Sequence, residues 1–174
     1  MRIAIDTHAH SVASGHAYST IDELALAARR NGLRGFVLTD HGPSMPGTTH
    51  AYHFGNLRVV PERLRGVRFY KGIEANVLDA EGRLDLDDRN LARLDFVLAD
   101  TMIMGVTAAG RPRRLWLPDV TIDDPEAWMK EYLAHNLRIL DEPVSILANP
   151  TYLPPCISNR YDQLWTEPRM RQVI

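Results

Sequence analysis

The chain has 174 residues, of which 45% are hydrophobic and 24% are charged, and its formal net charge is -2. These values are typical of a single globular domain that buries roughly 70% of its extended surface. A charge so near zero gives no global attraction to nucleic acid or to an anionic membrane, so we expect neither as a partner. No run of 18 apolar residues occurs, which excludes a predicted transmembrane helix.

The cysteine content and the N-terminal residues allow the cellular compartment to be predicted. Cys156 is the single cysteine, which excludes an internal disulfide and a cysteine-based zinc finger. We interpret Cys156 as a small buried apolar residue. The sequence opens on a strand-like apolar run rather than on a charged segment followed by a long apolar stretch, so no secretory leader is expected. These features predict a cytoplasmic protein.

Short apolar runs alternate with amphipathic segments along the chain. Five strands are predicted, over residues 2–5, 35–39, 67–73, 95–99 and 144–148. Helices are predicted over residues 20–32 and 124–140, and a further helix begins at residue 166. Repeated strand-then-helix units predict an α/β fold with a parallel sheet. In such a sheet the carboxyl ends of the strands gather on one rim, as in (β/α) barrels.

Four histidines and a glutamate lie near the ends of the first three predicted strands. They are His8, His10, His16, His41 and Glu74. Because residues two apart on an extended chain face the same side, one cation could bind both His8 and His10. The mixture of imidazole and carboxylate suits zinc, manganese or iron better than calcium or magnesium. The sequence therefore predicts a divalent transition-metal site and leaves the identity of the metal open.

The motifs that carry these residues resemble those of the PHP (polymerase and histidinol phosphatase) superfamily. They read Asp6-x-His8-x-His10, His16-Ala17-Tyr18-Ser19, Thr39-Asp40-His41-Gly42-Pro43 and Gly72-Ile73-Glu74-Ala75-Asn76. The likeness covers residues 3 to about 155 and is greatest to the single-domain bacterial phosphatases of the group. The resemblance implies a distorted, TIM-like (β/α) barrel of seven strands.

The resemblance also implies which residues bind metal. Carried over by position, His8, His10 and Glu74 are ligands of one metal, and Glu74 bridges to a second. His16 and His41 then serve a third metal. The family thus implies up to three metal sites, and we expect fewer in this chain. No catalytic residue beyond the metal ligands is predicted.

Two positions depart from the family pattern. Met102 stands where the fourth strand of the family ends in a histidine, and Asn149-Pro150 replaces the usual His-Pro after the fifth strand. A thioether and an amide are poor replacements for imidazole toward a borderline cation. Asp100 faces the same way as Met102, two residues earlier. A rearranged second site that uses Asp100 and the Asn149 amide oxygen therefore remains open.

The length of the chain is a further departure. Members of the family continue through two more strands to an Asp-x-His motif that supplies further ligands, whereas this sequence ends at Ile174. We therefore expect residues 1–174 to form a single PHP domain that is truncated at its C-terminus, with about five of the seven strands. An unclosed barrel would expose a strand edge, which leaves self-association open.

Polar residues near the predicted ligands are candidates for supporting roles. Asp6 and Asp40 are candidates to orient ligand imidazoles, and capping of turns or strand ends is the alternative. Candidate substrate-binding residues are His50, His53, Arg113 and Arg114, on the predicted loops after the second and fourth strands. Solvent exposure is the alternative for all four. We interpret His135, in the middle of a predicted helix, as structural.

The function implied by the resemblance is hydrolysis of a phosphate ester. This reaction needs an activated water and positive charge near the phosphoryl oxygens, and clustered metals supply both. The resemblance implies a metal-dependent phosphatase or phosphoesterase acting on a small phosphorylated metabolite. A catalytically silent relative that keeps a partial metal site stays open because of Met102 and Asn149. An amidohydrolase also begins with His-x-His, but it expects a metal-bridging lysine at strand four, which this sequence lacks.

Overall fold

A computed structural model describes residues 3–106, 110 and 112–173 of the chain. The chain divides into two compact units. The first comprises Met1–Asn76 and Asp85–Leu98, and the second comprises Val77–Leu84 and Ala99–Ile174. Within the described ranges, no helix combines the length and the apolar character that a membrane crossing requires.

The first unit is built on parallel strands. Its strands are β1 (Ile5–Ala9), β2 (Gly35–Leu38), β3 (Arg63–Leu64), β4 (Val67–Asn76) and the beginning of β5 (Phe96–Asp100). β1 pairs in parallel with β2, and β2 pairs in parallel with β4. β3 is a short antiparallel partner of β4, and β5 lies next to β4 on its other side. The predicted α/β fold with a parallel sheet is therefore confirmed.

Two strands extend beyond their predicted ends. β1 is predicted over residues 2–5 but runs from Ile5 to Ala9, and β4 is predicted to end at residue 73 but continues to Asn76. The pairing with β2 carries β1 past its apolar run, because the Thr39 amide donates to the Ala9 carbonyl oxygen at 2.8 Å. His8 and Glu74 consequently lie within strands, and the pairing of β1 with β2 is irregular between Asp6 and Ala9, around His8.

Helix α1 (Ile21–Arg30) follows the sequence prediction closely. Thr20 is its N-cap, and a capping box with Glu23 satisfies two free amides at the helix start. Asn31 is the C-cap, and Gly32 follows with a φ of 69°, in the left-handed region that glycine favours. Ala25 and Ala28 are buried on the face that packs against β2 and β4. Small side chains on this face let the helix approach the sheet.

Two short helices of the first unit were not predicted. They are α2 (Tyr52–Asn56) and α3 (Asp88–Leu91), and a 3-10 helix, Leu57–Val59, follows α2 directly. His53 lies on α2, so the prediction that it lies on a loop is wrong. A helix of one turn is too short for apolar residues to recur with helical spacing, and the sequence shows no periodic signal there. His50 lies just before α2, and its carbonyl oxygen accepts the His53 amide hydrogen.

The second unit packs its helices on an aromatic core. It contains β6 (Ile103–Val106), β7 (Pro112–Arg114), α4 (Pro125–Ile139), β8 (Ile146–Ala148), α5 (Tyr161–Leu164) and α6 (Glu167–Val173). The core includes Trp128 and Tyr132, whose rings stack at 4.8 Å, together with Leu164 and Trp165. Asp124 caps α4 by accepting the amide hydrogens of Glu126 and Ala127, as expected for a helix that begins with proline.

Arg113 and Arg114 lie on strand β7 rather than on the predicted loop, and this prediction is wrong. β7 pairs antiparallel with β6, and Arg114 is opposite Ile103. The Arg113 guanidinium donates to the Thr121 carbonyl oxygen at 3.0 Å, and the Arg114 guanidinium lies 5.9 Å from the centre of the Trp116 ring. These contacts engage both side chains within the second unit.

The interpretation of Cys156 as a buried residue is also wrong. Cys156 is exposed, in the first turn of a 3-10 helix over Pro155–Arg160. The buried residue of this helix is Ile157, which joins the aromatic core of the second unit. The larger aliphatic side chain takes the inward position, so its neighbour Cys156 faces outward.

His135 is buried in the middle of α4, in keeping with a structural role. Its side chain is 1% exposed, and its ring lies 6.3 Å from that of Tyr132. Burial lowers the pKa of His135 to about 4, and the nearby charge of Arg138 acts in the same direction. The imidazole is therefore neutral in the folded chain at pH 7.

Acid should destabilise the chain through His135. Because its pKa is about 4 when folded and 6.5 when unfolded, the unfolded chain binds an extra proton between these values, and stability falls as the pH falls from 6.5 to 4. In the variant His135→Leu, we expect the loss of unfolding free energy between pH 7 and pH 4.5 to be smaller by about 2 kcal/mol. Urea denaturation in the presence of a chelator measures this loss.

The control for this measurement is the variant His50→Leu, because His50 is exposed. This variant should show the same loss of stability in acid as the unmodified chain. An equal loss in all three proteins would mean that His135 does not couple folding to pH.

Candidate metal centre

One carboxylate oxygen in the first unit is surrounded by three imidazoles. His8 Nε2, His10 Nε2 and His41 Nδ1 lie 3.0, 3.2 and 3.3 Å from Glu74 Oε2. The Glu74 side chain is 2% exposed, whereas that of His8 is 36% exposed. The group is thus open on the His8 side and closed behind Glu74.

The parallel strands explain why these residues meet. His8 lies on β1 and Glu74 on β4, and β2 lies between these two strands. Three residues after the end of β2, His41 forms an isolated parallel bridge with Glu74. The Glu74 amide donates to the Asp40 carbonyl oxygen at 3.1 Å, and the Gly42 amide donates to the Glu74 carbonyl oxygen at 2.9 Å. The backbone therefore fixes His41 beside Glu74.

His16 completes the predicted set of ligands. Its ring centre lies 5.1 Å from the ring centres of both His10 and His41. The ligand atoms of His10, His16 and His41 all lie within 4.8 Å of one another, and so do those of His8, His10 and Glu74. The structure therefore brings together all five predicted ligands, which we call the histidine cluster.

The histidine cluster contains buried polar atoms that lack a hydrogen-bond partner. Among the described residues, His41 Nδ1 and Glu74 Oε1 are buried and have none. The 3.3 Å separation of His41 Nδ1 from Glu74 Oε2 is short enough for an ion pair, but it does not meet the geometry of a hydrogen bond. Buried polar atoms are nearly always satisfied in folded proteins. Unsatisfied imidazole nitrogen and carboxylate oxygen atoms at one place fit a divalent transition metal.

Ser14 sets the orientation of the imidazoles. Its hydroxyl donates to Asp40 Oδ1 at 2.8 Å and accepts the His41 amide hydrogen at 3.0 Å. His10 Nδ1 lies 3.1 Å from the same hydroxyl oxygen, whose hydrogen is already donated, so we assign the proton of His10 to Nδ1. His16 Nδ1 likewise lies 3.1 Å from the Ser14 carbonyl oxygen, which can only accept. The Nε2 lone pairs of both rings are then free for a metal.

Asp40 is the buried centre of this hydrogen-bond network. It accepts the Ser11 amide and hydroxyl hydrogens, both at 2.7 Å, as well as the Ser14 hydroxyl hydrogen. His53 Nε2 lies 3.0 Å from Asp40 Oδ2. Burial alone would raise the pKa of Asp40, but the hydrogen bonds from His53, Ser11 and Ser14 outweigh it and lower the pKa. An ionised Asp40 thus holds Ser14 against the histidine cluster.

The residues predicted to support the ligands or to bind substrate make different contacts in the structure. Asp40 is linked to His10 through the Ser14 hydroxyl. Asp6 Oδ1 accepts the His8 amide hydrogen at 3.1 Å, which corresponds to the capping alternative of the sequence analysis. His53, a candidate for substrate binding, contacts Asp40.

Burial and charge prepare the ligands for metal at neutral pH. Burial would raise the pKa of Glu74, but the neighbouring imidazoles of His10, His8 and His41 overcome this effect and lower the pKa to about 2. Burial lowers the pKa of His41 to about 4, against the opposing charge of Glu74. Glu74 is therefore ionised and His41 neutral at pH 7, which are the forms that bind metal.

The sequence analysis missed several residues that support the site. Asp85 Oδ1 accepts the Asn76 amide hydrogen at 2.9 Å, and Asp85 Oδ2 accepts from the Asn76 side chain at 2.6 Å. The Asn76 side-chain amide also donates to the Gly42 carbonyl oxygen at 3.1 Å. A side chain at Gly42 would overlap the Asp85 carboxylate. Nothing in the sequence indicates that Asn76 contacts Asp85, nine positions later. Gly42, in contrast, directly follows the predicted ligand His41, so its position next to the site could be read from the sequence.

The remaining predicted positions lie in the second unit. Asp100 is buried, and its Oδ1 accepts the Met102 amide hydrogen at 2.8 Å. Asn149 has a φ of 55°, and its carbonyl oxygen accepts the Thr101 hydroxyl hydrogen at 2.9 Å. Asp100 thus stabilises a local turn, whereas the Asn149 carbonyl oxygen contacts a residue 48 positions earlier in the chain. The rearranged second metal site stays a prediction.

Comparison with known proteins identifies the family of this chain. The model of the PHP domain family matches residues 6–166. A probable phosphatase of Acetivibrio thermocellus is 58% identical over 99 residues, which are 57% of this chain and 41% of the relative. A probable phosphatase of Caldicellulosiruptor bescii is 44% identical over 118 residues, which are 66% of this chain and 49% of the relative. The matches thus span less than half the length of these relatives.

A solved structure shows the same fold. It is the crystal structure of a histidinol phosphate phosphatase from Lactococcus lactis in complex with zinc, L-histidinol and phosphate. The two structures superpose with a TM-score of 0.53 at 14% sequence identity, over 86% of this chain and 58% of the other. With the family model matching most of its length, the chain belongs to the PHP domain family.

Proposed function

We propose that this chain carries the metal centre of a metal-dependent phosphatase that hydrolyses a phosphomonoester of a small metabolite. The observation that carries the proposal is the convergence of His8, His10 and His41 on Glu74 Oε2. The relatives named as probable phosphatases and the Lactococcus lactis enzyme with zinc and phosphate support the same reaction class.

The proposed ligands fall into two overlapping sets. His8, His10 and Glu74 would hold one divalent metal, and His10, His16 and His41 offer a second group of donors. Their donor atoms suit zinc, manganese or iron. When bound, such a metal lowers the pKa of water and places positive charge near the phosphoryl oxygens.

Residues of the chain prepare this chemistry before any metal or substrate arrives. Ser14 and Asp40 hold His10 with its proton on Nδ1. The low pKa values of Glu74 and His41 remove the need to release a proton from either group at neutral pH. The exposed side of His8 leaves an approach for a substrate phosphate.

Loss of the Ser14 hydroxyl should weaken metal binding. In the variant Ser14→Ala, His10 and His41 lose their shared acceptor and Asp40 loses a donor, so the imidazoles are less firmly oriented. We expect the metal affinity to fall about 10- to 100-fold, as is typical of residues that orient metal ligands. Competition with a chromophoric zinc chelator measures the affinity.

Ser158→Ala is the matched control, because Ser158 is exposed in the second unit and donates only to the nearby Pro155 carbonyl oxygen among the described contacts. This variant should bind zinc as the unmodified chain does. If Ser14→Ala keeps full affinity and its circular dichroism is unchanged, Ser14 does not orient the ligands.

The reaction class is tested by turnover of para-nitrophenyl phosphate with added manganese or zinc. We expect metal-dependent hydrolysis by the chain and none by the double variant His8→Ala/His10→Ala. The variant His135→Leu, altered outside the histidine cluster, should retain the activity at pH 7. Hydrolysis that continues unchanged in a chelator would contradict the proposal.

A second candidate function is metal binding without catalysis. It is favoured by Met102 and Asn149, which stand where the family pattern has histidines. In that case the chain would bind zinc through the histidine cluster with full affinity but show no turnover of para-nitrophenyl phosphate with either metal. The two measurements together therefore separate the enzyme from the silent relative.

A further inference from the structure

The first unit contains a concave site that shares no residue with the histidine cluster. It is a cleft of about 650 Å³, within the range of sites that hold small molecules. We call it the arginine cleft. Its polar and aromatic lining is formed by His50, Tyr52, Arg58, Arg89, Asn90 and Arg93.

Three guanidinium groups in the arginine cleft have no carboxylate partner. Within the described part of the chain, Arg58, Arg89 and Arg93 form no ion pair and no side-chain hydrogen bond. Five other arginines do pair with carboxylates, namely Arg65, Arg68, Arg83, Arg169 and Arg171. The arginine cleft therefore brings together three guanidinium groups that no ion pair among the described residues neutralises.

The carboxylate that lines the cleft is already engaged. Asp87 Oδ1 accepts the Asn90 amide hydrogen at 2.9 Å, and Asp87 Oδ2 accepts from the Asn90 side chain at 2.8 Å. Hydrogen bonds from Asn90 lower the pKa of Asp87. One carboxylate against three guanidinium groups leaves the cleft with an excess of two positive charges.

The three arginines come from two separate segments of the chain. Arg58 lies on the 3-10 helix after α2, whereas Arg89 lies on α3 and Arg93 follows it four positions later. Like charges at this spacing repel one another. A bound anion between the two segments would remove the repulsion and could accept paired hydrogen bonds from the planar guanidinium groups.

We propose that the arginine cleft binds a phosphate group of a small molecule, independently of metal. The volume leaves room for more than the phosphate itself, and the exposed Tyr52 ring offers an apolar surface for the rest of the ligand. Helix α2 carries both Tyr52 of the cleft and His53, which contacts Asp40. A ligand in the cleft thus contacts the helix that supports the histidine cluster.

Calorimetric titration with inorganic phosphate tests the proposal. The double variant Arg89→Gln/Arg93→Gln should lose at least about tenfold in phosphate affinity, because two charge-assisted contacts are removed. The double variant Arg29→Gln/Arg30→Gln removes the same charge from exposed positions on α1 and should bind as the unmodified chain does. Binding should also weaken as salt is raised, because exposed charges are screened.

The double variant His8→Ala/His10→Ala shows where the phosphate binds. If the cleft is the site, this variant keeps the full phosphate affinity. Loss of binding in this variant, with full affinity in Arg89→Gln/Arg93→Gln, would place the phosphate at the histidine cluster and overturn the proposal. Binding of a short single-stranded oligonucleotide without any binding of inorganic phosphate would also overturn it.

Fructose 1,6-bisphosphate is the second probe. It shows whether the phosphate in the cleft belongs to a separate small molecule or to a substrate that also reaches the histidine cluster. If the bisphosphate occupies only the cleft, its affinity falls in Arg89→Gln/Arg93→Gln and is unchanged in His8→Ala/His10→Ala. If the bisphosphate instead reaches from the cleft to the histidine cluster, as a substrate would, its affinity falls in both Arg89→Gln/Arg93→Gln and His8→Ala/His10→Ala. Either result supports a phosphate site at the arginines, and neither measurement depends on turnover, so the proposed phosphatase function is tested separately.

Discussion

The variant Glu74→Gln is expected to lose more than about 100-fold in zinc affinity. Glu74 Oε2 is the atom on which His8, His10 and His41 converge, and an amide in its place is neutral and a weaker ligand. Loss of residues that only orient ligands typically costs 10- to 100-fold, so loss of a direct ligand should cost more. Competition titration with a chromophoric chelator gives the affinity.

Glu81→Gln is the control for this experiment, because it makes the same chemical change at an exposed position. It should leave the zinc affinity unchanged. Glutamine has nearly the size of glutamate, so Glu74→Gln should keep the fold, and circular dichroism of the metal-free proteins checks this. Equal zinc affinities for the two variants would show that Glu74 is not a ligand.

Removal of metal is expected to lower the melting temperature of the chain. Metal that binds only the folded state adds about 2.7 kcal/mol of stability when its concentration is a hundred times the dissociation constant. For a protein of this size, that corresponds to roughly 5 to 10 °C. Differential scanning calorimetry with and without a chelator measures the shift.

The shift should be absent in His8→Ala/His10→Ala, because this variant lacks two of the proposed ligands. His50→Ala removes a histidine that lies outside the histidine cluster and should keep the shift. A chelator that leaves the melting of the unmodified chain unchanged would mean that no metal stabilises the fold.

The sequence allowed the strands and the ligand positions to be predicted for a physical reason. Apolar runs such as the one around Phe36 and Val37 are buried in the sheet, and their parallel pairing brings the strand ends together. His8 and Glu74 occupy strands whose pairing follows from these runs. The prediction that they meet therefore needed only the topology of the sheet.

The hydrogen bonds that support the ligands could not be predicted in the same way. Ser14 joins Asp40 and His10, but Asp40 lies 26 residues after Ser14, and nothing in a lone serine indicates this contact. Helices α2 and α3 have one turn each, which is too short for a periodic pattern. The arginine cleft depends on these two helices, so it was not visible before the structure.

In the second unit, a local sequence signal gave a wrong prediction. Arg113 and Arg114 follow Gly110 and Pro112 in the sequence, and these neighbours indicated a loop. The antiparallel pairing of β7 with β6 overrides that local signal. The pairing of these two neighbouring segments decides the structure there, because the strand preference of a residue depends on its context.

The most direct test of the metal centre is elemental analysis of the chain purified without added metal. We expect at least one equivalent of zinc, manganese or iron per chain, and much less than one in the double variant His8→Ala/His10→Ala. The variant His50→Ala, purified in parallel, should contain as much metal as the unmodified chain. Absence of these metals from the unmodified chain, together with no uptake on dialysis against zinc, would contradict the metal centre.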